Sequence, residues 1–165
     1  MLDTSWRYNF PETWEPQSML FRKALENEIV ILTNISKDAF NTDYLVGMDP
    51  DDGPPYYDDL EWHKQMYKED HLYAYLDDEN NLIGGALLFL SNNVLYIGRI
   101  FIDPKYFRKG YGYSLMLDIE KHFSGCKNFK LDTPKNNVRT NSLYKKLGYI
   151  ITKTTDEEVN YEKQV

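Results

Sequence analysis

A single cysteine, Cys126, stands among the 165 residues, so no disulfide can form within the chain and a reducing compartment suits it. Histidine is almost as scarce. His63, His71 and His122 are too scattered to suggest a metal-ligand set, and no metal is expected. Basic residues are outnumbered, 19 against 26 acidic, which gives a net charge of −7, and they form no run. That balance repels nucleic acid and anionic membrane, so neither is an expected partner. No apolar stretch approaches the ~20 residues that cross a bilayer, and the first residues lack the charged-then-apolar layout of a secretory leader. A soluble, cytoplasmic protein is the expectation.

What the sequence does have is ordinary globular material. Hydrophobic residues make up 42% and charged residues 27%, enough for one folded domain at this length. Aromatics reach 15%, and 14 of them are tyrosine, so an isolated tyrosine carries little information here. Residues 1–18 hold no sustained period and read as an arm. Residues 19–165 read as a single domain. Within it, Met19 to Lys23 suits an edge strand, and Leu25, Ile29, Leu32, Ile35, Ala39 and Phe40 recur at helical spacing. Residues 49–59 are a loop rich in Asp, Pro and Tyr, and a second helix is expected from Asp58 to Lys68.

The centre of the chain is β. Strands are expected at Leu72 to Leu76, Leu82 to Leu90 and Val94 to Ile102, the last two as an antiparallel hairpin around Ser91-Asn92-Asn93. Further on come a helix opened by Gly110 or Gly112, a strand at Asn128 to Asp132 and a helix at Arg139 to Leu147. Strands at Tyr149 to Thr154 and Glu158 to Glu162 close the chain. This order predicts an α/β (α+β) architecture, a central mixed β-sheet with helices on both faces.

The sharpest local feature is the run Phe107-Arg108-Lys109-Gly110-Tyr111-Gly112, which links a strand to a helix. Glycines there let the backbone approach a ligand, and the helix start presents N–H groups and a positive dipole end to an anion such as a pyrophosphate. The same glycines could simply shape a tight turn. The run is no Walker A loop, since Gly-Lys-Ser/Thr is absent, and it lacks the three-glycine dinucleotide spacing.

A second motif follows one strand later: Asn137, Tyr144, Gly148 and Tyr149 within NVRTNSLYKKLGY. Together with Ile102-Asp103-Pro104 and the Gly110/Gly112 turn, in this order and spacing, residues 93–150 resemble the GNAT superfamily of N-acetyltransferases. Two positions depart from that family's pattern: Phe107 stands where Arg or Gln is usual, and Thr140 replaces a small Ala.

The resemblance implies a GNAT-like fold that transfers acetyl from acetyl-CoA to a primary amine by direct attack in a ternary complex, without a metal. It implies a pantetheine arm between the strands 94–102 and 128–132, bonded by backbone near Phe101 and Ile102. The pyrophosphate would be held over Phe107, Arg108, Lys109, Gly110, Tyr111 and Gly112, and Asn137, in the downstream helix motif, is a further cofactor-binding candidate. Tyr144 matches the tyrosine that protonates the departing thiolate.

The strand 94–102 carries no carboxylate, so Asp103, Asp132, Glu61 or a water chain are the candidates for a base. Tyr57, Glu61 and Arg99 are the candidates for acceptor binding. The acidic loop before Glu61 could read a cationic amine or be plain solvated surface. The acceptor is a small-molecule amine or a protein or peptide amine, and edge strands and the aromatic arm are compatible with a homodimer. Another acyl donor, a hydroxyl acceptor, or a catalytically silent CoA-binding module are the alternatives. Cys126 reads as a buried structural thiol rather than a nucleophile.

Overall fold

A computed structural model of the chain describes residues 19–49 and 53–165. The arm expected over 1–18, and residues 50–52 of the acidic loop, lie outside the described residues.

Strand β1 (Leu20–Lys23) leads through a 3-10 turn at Glu26–Glu28 into α1 (Ile29–Phe40), followed by α2 (Leu60–Lys68). The meander β2 (Leu72–Leu76), β3 (Leu82–Ser91), β4 (Val94–Ile102) comes next, then α3 (Tyr111–His122), β5 (Asn128–Pro134), α4 (Val138–Lys146), β6 (Ile150–Thr154) and β7 (Glu158–Gln164). The expected elements are present, most ends within two residues; α1 starts four residues after Leu25, because Glu26–Glu28 form the 3-10 turn. Asp59 explains one displacement: its carboxylate accepts from the Trp62 N–H at 2.9 Å, so it caps α2 from outside.

The seven strands run in the order β1-β2-β3-β4-β5-β7-β6. All neighbours are antiparallel except β4 and β5, the one parallel pair. The chain's last strand, β7, lies between β5 and β6, which leaves β6 at the edge with every residue exposed.

Two apolar clusters fill the two faces. On one, Leu115, Met116 and Ile119 of α3 and Tyr144 and Leu147 pack on Leu95, Ile97, Phe129 and Leu131. On the other, Leu32, Ile35 and Ala39 of α1 and Met66 of α2 pack on Ala74, Leu87 and Phe101. The periods of 3.6 and 2 in the sequence correspond to these stripes. Strand β2 is buried throughout because helices cover it on both sides. Cys126 is buried in the first cluster, as expected of a structural thiol.

Near the N-terminal edge, Glu28 is buried and forked onto Arg22, with oxygen to nitrogen distances of 2.8 and 2.9 Å, and it accepts the Leu25 N–H at 2.8 Å. This pair ties β1 to the start of α1.

Candidate active site

Strand β4 does not keep one alternation. Leu87 pairs with Arg99 while Leu88 pairs with Ile97, so Gly98 is an extra residue, a bulge. Its absent side chain matters, because a Cβ there would lie 2.8 Å from Phe89 Cε2. Before the bulge, Leu95 and Ile97 face the α3 side; after it, Ile100 and Ile102 do. The one-residue slip therefore sends Arg99, with Phe101, to the α1/α2 face. There the Arg99 guanidinium carbon lies 4.5 Å from the centre of the Trp62 ring, and Nη2 donates to the Pro55 carbonyl. Burial pushes the Arg99 pKa down to about 10, opposed only by the Tyr96 phenol. Its Nη1 is buried without a hydrogen-bond partner.

The parallel pairing of β4 and β5 covers Val94–Asn128, Leu95–Phe129 and Tyr96–Lys130, and then stops. Both strands continue, β4 to Ile102 and β5 to Pro134, so the β5-facing edge of β4 beyond Tyr96 has no strand partner among the described residues. Phe101 and Ile102 lie on that free stretch with their side chains buried, which leaves backbone as their polar offering. Across the opening, the Tyr96 hydroxyl donates to the Asp132 carboxylate.

Tyr144 is buried between Tyr149 and Tyr161, with ring centres 6.1 and 5.8 Å away. Burial pushes its phenol well above the usual range, and the negative charges of Asp132 and Asp43 push the same way. A phenol so held stays protonated at neutral pH. Asp43, in the 3-10 turn Asp43–Val46, went unnoticed in the sequence. Burial raises its carboxyl, against the pull of Arg139 and a hydrogen bond from Asn137.

The glycine run forms the turn into α3. Gly110 is the residue before the helix, at φ 77°, a left-handed conformation that glycine adopts without strain. No side chain caps the α3 N-terminus. A Cβ on Gly112 would meet only Leu143 Cδ2, at 3.7 Å, so packing within the chain does not demand glycine there. In a first helical turn glycine costs ~1 kcal/mol against alanine. Room left at that cost fits an approaching phosphate. Arg108, also at positive φ, Lys109 and Tyr111 flank the turn. Phe107 offers its ring to Arg139, whose guanidinium carbon lies 4.7 Å from the ring centre. Asn137 is buried and caps α4, its Oδ1 accepting from the Thr140 N–H at 3.1 Å.

The acceptor-side candidates divide. Tyr57 donates to Asn41 Oδ1 at 2.8 Å and packs edge-on to Phe40, which lies against Phe101, so it is joined to the Arg99 wall. Glu61 is exposed and paired with Lys64 at 3.0 Å, away from that wall's polar contacts. His63 is fully buried; its Nδ1 is 2.7 Å from the Asp59 carbonyl, and burial lowers its pKa. Among the described residues no three His, Cys, Asp or Glu side chains group as metal ligands, and no helix is long and apolar enough to cross a membrane. Trp62 and Pro55 were missed in the sequence; Trp62 could have been found as the aromatic beside the α2 cap, facing a strand arginine.

A mixed sheet whose parallel pair opens midway, with an uncapped helix start at one end of the opening and a buried tyrosine beside it, defines a CoA-dependent acyltransferase scaffold. The chain belongs to the acetyltransferase (GNAT) family, whose pattern it matches over residues 29–149, and is an acyl-CoA-dependent N-acetyltransferase. Solved structures share the fold. The PaiA N-acetyltransferase of Thermoplasma acidophilum, determined with coenzyme A, is 21% identical, with a TM-score of 0.71 over 90% of this chain and 99% of its own. The ribosomal-protein-S18-alanine N-acetyltransferase of Escherichia coli is 14% identical, with a TM-score of 0.70 over 90% and 94%. The spermidine N-acetyltransferase of Vibrio cholerae, with CoA and spermine, is 14% identical, with a TM-score of 0.67 over 88% and 95%. None of the curated proteins is similar enough in sequence to be matched.

Proposed function

We propose that the protein transfers an acetyl group from acetyl-CoA to a primary amine, both bound at once, by direct attack of the amine on the thioester carbonyl. The observation that carries this reading is the opening between β4 and β5 beyond Tyr96–Lys130. An extended pantetheine arm fits such an opening because its amides can bond the free backbone edge near Phe101 and Ile102. The pyrophosphate then falls to the turn of Phe107, Arg108, Lys109, Gly110, Tyr111 and Gly112, where uncapped helix-start dipoles favour negative charge. Asn137 serves the site indirectly, by fixing the start of the helix that carries Tyr144.

The step balances simply. The amine nitrogen forms the new C–N bond, the C–S bond breaks, and Tyr144 gives its proton to the departing sulfur. A proton donor in that position is worth ~10²-fold or more. The amine's proton leaves to a carboxylate or water; Asp132 and Asp43 are the carboxylates whose charge reaches Tyr144. No residue of the chain becomes acylated.

The relatives in solved structures include one acting on a small polyamine and one on a ribosomal protein, so the fold admits both kinds of acceptor. Calorimetry with acetyl-CoA, and thiol release with a panel of amines, tests the reading. Binding with amine-dependent thiol release is expected. Failure to bind acetyl-CoA would end it, and binding without thiol release would leave a silent CoA-binding module.

A further inference from the structure

Arg99 carries a charge for which the described residues supply no counterion. Its Nη2 is taken by a neutral carbonyl, that of Pro55, and its face by the Trp62 indole. No carboxylate among the described residues pairs with it, and Nη1 is buried with nothing to bond. Its buried neighbour on α2, His63, cannot compensate. Burial, and then the Arg99 charge, lower the pKa of that imidazole, and a histidine offers no negative charge in either form. A guanidinium half out of water, held on two sides and with Nη1 unpaired, suits an anion that can reach it. The alternative is a lasting desolvation cost with no return.

The surroundings narrow the anion. Tyr96, close enough for its phenol to feel the Arg99 charge, gives its hydroxyl to Asp132, and Glu158 lies within the field of Asp132. One face of the opening is thus cationic and the next is acidic. A phosphate dianion would leave a surplus negative charge beside Asp132 and Glu158. A polyamine would set a cation against Arg99. A molecule with one carboxylate and one amine matches both.

We infer that the acceptor is a small amino acid or amino-acid-like amine, its carboxylate bound by Arg99 over Trp62 and its nitrogen directed toward Asp132. This rests on the acetyltransferase reading above and names its substrate class. Arg99 acts here as a specificity-determining residue. The bulge at Gly98 is what makes the role available, since without it Arg99 would point into the α3 core.

The test is thiol release from acetyl-CoA by the full chain, with free α-, β- and γ-amino acids, their carboxamides, and spermidine as acceptors. At least one amino acid should be used with kcat/KM tenfold or more above its own carboxamide and above spermidine. Arg99→Gln should reduce that preference to within about twofold, chiefly through KM, with acetyl-CoA affinity unchanged by calorimetry. Arg99→Lys keeps the charge and should retain part of the preference, which guards against a glutamine variant that folds poorly. A wild-type protein that acetylates carboxamides or spermidine as well as amino acids overturns the inference and leaves the acetyltransferase reading standing. So does a Gln variant with the preference intact. A protein that binds no acetyl-CoA overturns both.

Discussion

Tyr96 holds Asp132 across the place where β4 and β5 part: its hydroxyl donates to the Asp132 carboxylate just beyond the last paired residues, Tyr96 and Lys130. The bond spans two strands that no longer share backbone hydrogen bonds, so it sets where the carboxylate points. Tyr96→Phe deletes the bond and keeps the ring. For a partly exposed bond to a charged group the loss should be ~1 kcal/mol, or ~2–4 °C in melting temperature. The amine KM should rise with acetyl-CoA affinity unmoved. Steady-state kinetics with unchanged amine KM would remove Asp132 from the acceptor site.

Tyr144→Phe separates acid from packing. The hydroxyl makes no hydrogen bond to another described residue, so melting temperature should hold, while kcat falls ~10²-fold and acetyl-CoA binding stays. Burial pushes the phenol up, so the protonated form persists through neutral pH. The wild-type pH profile should show no alkaline limb from this group below about pH 10. Near wild-type kcat in the variant, with chemistry rate-limiting, would assign Tyr144 to packing alone.

Gly112→Asp places bulk and a negative charge at the α3 start. The chain itself has room, with the nearest contact at 3.7 Å, so the fold should survive. Acetyl-CoA affinity should fall tenfold or more, ~1.4 kcal/mol. Calorimetry on the folded variant checks it, and unchanged affinity would mean the phosphates lie elsewhere.

Much of this was legible beforehand because it rests on local rules. The strand order from Leu72 to Ile102, the hairpin turn at Ser91–Asn93 and the glycine opening of α3 follow from period and turn chemistry. Tyr144 was marked by the resemblance of its segment, with Asn137 and Gly148, to the GNAT motif, not by any property of tyrosine. The acceptor side was less readable, because it is assembled across the sheet. Arg99 was a candidate only as a polar residue on an apolar strand; its direction depends on a bulge that Gly98 permits but does not announce. Glu61 looked equivalent in sequence, yet α2 turns it to solvent beside Lys64. Asp43 carried no signal, since the partners that act on it, Arg139 and Asn137, lie nearly a hundred residues downstream.

Glu28→Gln probes the clamp between β1 and α1. The carboxylate is buried, bidentate to Arg22 and bonded to the Leu25 N–H, and the Arg22 hydrogen bonds hold its pKa below the usual range. Stability from a depressed carboxyl is present above its unfolded value, ~4.3, and is lost as pH falls through the folded value. Denaturant unfolding at pH 7 should show a loss of ~1.5–3 kcal/mol that shrinks in acid. A loss constant from pH 3 to 7 would point to shape rather than charge.

Asp43 has the opposite sign. Burial raises its carboxyl more than Arg139 and Asn137 lower it, because the net shift is upward. The folded state therefore prefers the protonated acid. The contribution to stability is full below the unfolded value, ~3.9, and is lost as pH rises through the folded value. Ionising Asp43 costs more in the folded state than in the unfolded chain, and Asp43→Asn, which cannot ionise, removes that cost. The variant should melt at a higher temperature than wild type at pH 7, and the gap should close toward pH 3. Melting curves across that range decide it. A variant less stable at pH 7 would mean that Arg139, deprived of its partner, outweighs the desolvation of the acid. A gain in stability coupled to a fall in kcat/KM would mark Asp43 as a carboxylate kept ionised for the reaction beside Tyr144.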